Sequence, residues 1–87
     1  MNIEANKTIG RCLQRLRIDA GITQAQLAEE LHKPQSYVSK IEIGERSLQV
    51  YELFDYSQAL GLSPEEAINR LETALSGWSG SNSRQRS

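Results

Sequence analysis

Two short helical patterns separated by three residues constrain this chain more than any other feature. The first runs Thr23-Gln24-Ala25-Gln26-Leu27-Ala28-Glu29-Glu30-Leu31. The second runs Gln35-Ser36-Tyr37-Val38-Ser39-Lys40-Ile41-Glu42, with Gly44 shortly after it. At about 100° per residue, Val38 and Ile41 share one side of the second segment, and Gln35, Ser36, Ser39 and Lys40 fall nearly opposite. One face packs, and the other presents amides, hydroxyls and an amine.

The same reading extends outward in both directions. A first helix is expected from about Lys7 or Thr8 to Ala20, with Ile9, Cys12, Leu13, Leu16 and Ala20 on one stripe and Arg11, Gln14 and Arg15 outside. Gly21 stops it. Thr23 then caps the second helix, with Gln26 completing a capping box and Leu27, Ala28 and Leu31 on the buried side. His32-Lys33-Pro34 forms the turn, and Pro34 suits a helix start because its missing amide has no intrahelical acceptor to lose. The third helix spans about Gln35 to Glu42 and ends at Gly44.

A fourth helix is expected from about Val50 to Leu60, packing through Val50, Leu53, Phe54, Ser57 and Leu60, with Gly61 ending it. Ser63-Pro64-Glu65-Glu66 then supplies a capping serine, a proline at the first position and a glutamate closing the box. The fifth helix continues to about Leu75 and buries Ala67, Ile68, Leu71, Ala74 and Leu75. No strand-like alternation and no internal repeat occurs. The expected fold is therefore all-α with five helices, a domain over residues 1–76 and a flexible tail over 77–87, where serine, glycine and arginine leave little to pack.

The helix pair resembles that of Cro and the phage repressors, whose pattern of Gln-x-x-Leu-Ala, then Ser-x-Val/Ile-Ser-x-Ile-Glu-x-Gly, is filled here by Gln24, Leu27, Ala28, Ser36, Val38, Ser39, Ile41, Glu42 and Gly44. Leu13 to Arg17, Gly21, Gly44-Glu45-Arg46 and Ala59-Leu60-Gly61 extend the resemblance over roughly residues 8 to 75. It implies a helix-turn-helix that lays its second helix in the major groove of DNA. At position 32 the family usually has glycine, and histidine tolerates the left-handed backbone of such a turn better than a β-branched residue would.

Site roles follow from the resemblance. Gln35, Ser36, Ser39 and Lys40 occupy the positions that reach base edges: glutamine can pair with adenine, lysine can donate to guanine and serine is permissive. Gln24 matches the glutamine that holds a DNA phosphate and so fixes register without reading sequence. Lys33, Tyr37 and Arg46 flank the face as further phosphate contacts, although Tyr37 also suits covering the core. Arg17 and Glu42 match a largely buried salt bridge, which keeps the acidic residue near the DNA from repelling phosphate. Ser47-Leu48-Gln49 replaces the Arg-Leu-Asp of many relatives, weakening one cationic contact and one helix cap.

Composition excludes several classes. The 87 residues suffice for one core without disulfides or metals. Cys12 lies on the buried stripe of the first helix and reads as a reduced core thiol, which suits a cytoplasmic protein. One histidine and one cysteine give no zinc-ligand set, so no metal and no cofactor is expected. No nucleophile has a neighbouring base, so the chain is not expected to be an enzyme. No signal peptide or membrane span is expected. Ten basic against 11 acidic residues give a net charge of -1, so phosphate contact must come from a local patch and from helix N-terminal amides.

The reading that results is a sequence-specific regulator, expected to repress, that binds double-stranded DNA as a homodimer. Ile68, Leu71 and Leu75 on the fifth helix, with Trp78 beyond it, are the expected dimer surface. Trp78 would equally serve as a cap on its own monomer. The alternative is a protein-interaction module, such as an antitoxin of this fold, whose main partner is another protein.

Overall fold

The computed structural model describes residues 2–76. They form five α-helices: α1 (Ile3–Asp19), α2 (Gln24–Leu31), α3 (Gln35–Glu42), α4 (Val50–Ala59) and α5 (Pro64–Ser76). The expectations for Trp78 and for the tail over 77–87 fall outside the described residues. Among those described, no helix is long and apolar enough to cross a membrane.

Local chemistry sets most boundaries. Thr23 Oγ1 accepts the Gln26 N–H at 3.0 Å while Gln26 Oε1 accepts the Thr23 N–H at 2.8 Å. Ser63 and Glu66 repeat this exchange at 3.1 and 2.8 Å. Each box satisfies two amides that the first helical turn leaves without partners. His32 adopts φ 58° and ψ 42°, a left-handed cap to α2, and the Lys33 N–H reaches back to Ala28 O at 2.9 Å.

α1 begins a turn earlier than the apolar spacing suggests. Asn2 caps it, its Oδ1 accepting the Ala5 N–H at 2.9 Å, and Glu4 in the first turn complements the helix dipole. Ile3 is exposed, so this extra turn carries no buried stripe for a periodicity argument to detect.

α4 also departs from expectation, in the face it buries. Leu60 and Ser57 point inward and Leu53 is half-buried, but Val50 and Phe54 are exposed. Glu52 and Tyr56 are buried in their place. Glu52 can be buried because Arg46 and a backbone amide satisfy its carboxylate, and without partners the cost would have turned the helix the other way. Tyr56 then fills the centre of the core.

That core joins Leu13, Leu16, Leu27, Ala28, Tyr37, Val38, Ile41, Tyr56 and Leu60, with Leu31, Leu71 and Cys12 packed around it. Burial pushes the Cys12 thiol up from its ordinary range, which fits an unreactive thiol. α1 packs against both α3 and α5, α2 packs on α3 and α4, and α4 closes against α5. Gly10 permits the close approach of α1 to α3, since a Cβ there would meet the Ile41 carbonyl oxygen and lie 2.5 Å from that of Glu42.

Candidate nucleic-acid interface

Helix α3 is short and carries both jobs that the sequence divides between its faces. Tyr37, Val38, Ile41 and Glu42 are buried. Gln35, Ser36 and Lys40 are exposed and Ser39 is half-buried. Ser39 Oγ donates to Ser36 O at 3.2 Å, which leaves its lone pairs and the Ser36 hydroxyl facing outward. The polar face thus offers an amide, two hydroxyls and an ammonium along one helix turn and a half.

Beneath that face is a buried ion pair. Arg17 Nε donates to Glu42 Oε2 at 2.6 Å and Arg17 Nη2 to Glu42 Oε1 at 3.2 Å, while Arg17 Nη1 donates to Ile22 O at 2.9 Å. The hydrogen bond to Glu42 raises the Arg17 pKa further. The guanidinium therefore ties α1, the α1–α2 turn and the C-terminal end of α3 together, with the geometric specificity of a two-pronged pair.

Gln24 joins this pair to the exposed face. Its Nε2 donates to Glu42 Oε1 at 2.8 Å, and its Oε1 accepts from Gln35 Nε2 at 3.4 Å. Since Glu42 can only accept, the orientation of the Gln24 amide follows. Gln35, which is exposed and gives one N–H to this long bond, keeps its Oε1 and second N–H, the pair of groups that matches an adenine edge.

A second cluster flanks the face and was only partly legible in the sequence. Arg46 grips Glu52 with both terminal nitrogens, each at 3.0 Å, and also donates to Ser47 O at 2.8 Å. Its guanidinium lies 4.7 Å from the centre of the Tyr37 ring, and Lys33 Nζ lies 5.2 Å from the same ring. The Arg46 guanidinium, helped by the Gln49 N–H, holds the Glu52 carboxyl at about 2. Tyr37 is raised above its ordinary value, first by burial and then by hydrogen bonding to Glu52. Tyr37 is thus core-lining and a platform for two cations, and Arg46 meets solvent with its charge already balanced.

Two participants were missed from sequence. Glu52 was not singled out; its position three residues after Gln49, where it accepts the Gln49 N–H at 2.8 Å, was the available signal. Gly10 gave none, because the carbonyls it makes room for belong to α3, far along the chain.

Of the expected dimer residues, Ile68, Leu71 and Leu75 fall together on α5. Ile68, Leu71, Glu72, Leu75 and Ser76 line a groove of about 590 Å³, with Leu71 also packed on the core and Ile68 47% exposed.

Comparison with known proteins agrees with this geometry. The helix-turn-helix family model matches residues 13–66. The chain is 33% identical over 66 residues to the uncharacterized HTH-type transcriptional regulator y4dJ of Sinorhizobium fredii, covering 76% of this chain and 86% of that protein. An XRE-family like protein from Pseudomonas syringae superposes with a TM-score of 0.71 at 38% identity, covering 80% of this chain and 85% of the other. The restriction-modification controller protein C.AhdI from Aeromonas hydrophila gives a TM-score of 0.65 at 30% identity, covering 70% and 92%. Because the matched region opens inside α1, closes inside α5 and encloses the whole α2–α3 pair, the chain belongs to the helix-turn-helix family of the Cro and phage-repressor (XRE) type.

Proposed function

We propose that this chain is a DNA-binding transcriptional regulator that places α3 in the major groove of a two-fold operator as a homodimer and represses from it. The observation that carries this reading is the run of bonds from Arg17 through Glu42 and Gln24 to Gln35. It links an exposed amide able to pair with a base to the buried centre of the fold, the kind of support a reader of sequence uses. Ser36, Ser39 and Lys40 extend the contact along the groove. Gln24, Lys33 and the outer edges of Tyr37 and Arg46 meet phosphate, and the names of the relatives, regulators and a controller, point the same way.

Dimerisation through α5 suits the spacing of DNA. α1 packs against both α3 and α5, so with packed helix axes about 8–10 Å apart α5 lies at most roughly 16–20 Å from α3. A two-fold axis along the Ile68–Leu75 groove would then hold two copies of α3 at most about 32–40 Å apart, a reach that includes the roughly 34 Å of one DNA turn. Hydroxyl-radical footprinting on DNA flanking the gene tests the proposal. Two protected segments on one face, one turn apart, are expected; a single segment removes the two-fold arrangement, and no protection at low salt removes DNA reading.

A second reading has its own observation. Val50, Tyr51 and Phe54 on α4 are 75%, 66% and 50% exposed, more apolar surface than a helix turned to water usually shows. It favours a protein partner, either beside DNA binding or in place of it.

A further inference from the structure

Among the described residues Arg15, Arg17, Arg46 and Arg70 each have a carboxylate within 4.0 Å, whereas Lys7, Arg11, Lys33 and Lys40 have none. Lys33 and Lys40 already belong to the interface. Lys7 precedes the region matched by the family, which opens at residue 13, and it lies against the loop that follows α3. A Cβ on Gly44 would fall 2.7 Å from Lys7 Cγ and 2.9 Å from Lys7 Cα, and Gly44 itself has φ +85°. The neighbouring Asn6 donates its Nδ2 to Ser47 Oγ at 3.0 Å. The loop is held from its other side by α3, where Lys40 O accepts the N–H groups of Glu45 and Arg46 at 2.9 and 3.2 Å.

Resting on the DNA-binding reading above, we infer that Lys7 is a further phosphate contact, with Asn6 positioning the loop between it and Lys40. The early first turn of α1 accounts for the arrangement: it carries Asn6 and Lys7 onto the Gly44–Ser47 segment, and the glycine leaves room for the lysine stem. The stem packs, and the exposed ammonium remains unpaired at the edge where α3 and its loop face the duplex. A lysine used this way supplies a point charge without reading bases. It also supplies positive charge where Arg46 is neutralised by Glu52, which a chain of net charge -1 needs.

The experiment is a salt titration of duplex binding by the full chain and by Lys7→Gln, Lys7→Arg and Arg15→Gln. Glutamine keeps the β and γ carbons that pack on Gly44, so folding, followed by circular dichroism, is expected to persist. Lys7→Gln should lower the slope of log K against log salt by about 0.9, so that the affinity lost between 50 and 200 mM salt is roughly 3.5-fold smaller. Lys7→Arg should restore the slope, and Arg15→Gln, which changes net charge equally but is paired with Asp19, should leave it unchanged. An unchanged slope in Lys7→Gln, with steep dependence in the parent chain, overturns the inference and leaves DNA binding intact. Equal losses in Lys7→Gln and Arg15→Gln overturn it too, as an effect of net charge alone. A parent chain with no salt-dependent binding overturns the DNA reading and this inference with it.

Discussion

Glu52 shows how one carboxylate can serve both the fold and the interface. Arg46 holds its pKa at about 2 against an ordinary 4.5. A lowered folded-state pKa contributes stability that is present above pH 4.5 and is lost as pH falls toward 2. Acid titration of stability should therefore show a decline across that window in the parent chain and a flatter curve in Glu52→Gln; identical curves would mean that Glu52 titrates normally in solution. Arg17 and Glu42 make a different prediction because both are nearly enclosed. Either change to alanine should destabilise by roughly 3 to 5 kcal/mol, since the remaining charge stays buried without its partner. A double-mutant cycle in denaturant should show strong coupling, and additive losses would contradict a shared pair.

At the scale of elements, what was legible in the sequence is what local chemistry decides. The α2 and α5 starts were readable because Thr23–Gln26 and Ser63–Glu66 close within one turn, and the α3 faces because Val38 and Ile41 recur at helical spacing. The inward turn of α4 was not readable, since Glu52 is buried only because Arg46 arrives from the preceding loop. Likewise the polar residues of the site could be named from periodicity and resemblance, but the bond from Gln24 to Glu42 depends on how α2 and α3 cross. Gly10 belongs to this scale as well, because two helices meet at it. Gly10→Ala should force α1 away from the C-terminal end of α3 and cost roughly 1 to 3 kcal/mol as overpacking does. Unfolding in denaturant measures it, and a stabilised variant would show that the contact has room to spare.

For the whole molecule, the proposal assigns α3 to DNA and α5 to pairing. α3 packs against α1 and α2, and α5 against α1 and α4, so association through α5 need not cover the exposed face of α3. Because Leu71 contributes to the core and Ile68 is half exposed, Ile68→Glu separates association from folding better than a change at Leu71. Sedimentation should find a folded monomer that binds a half-site weakly, and a variant still dimeric would take α5 out of the interface. The central claim, that α3 reads bases, is tested most directly by comparing affinities for the footprinted site and for an unrelated duplex in Gln35→Ala and Lys40→Ala. Each should lose roughly 1 to 3 kcal/mol on the specific site and little on the unrelated one. Equal losses on both duplexes, or none on either, would contradict it.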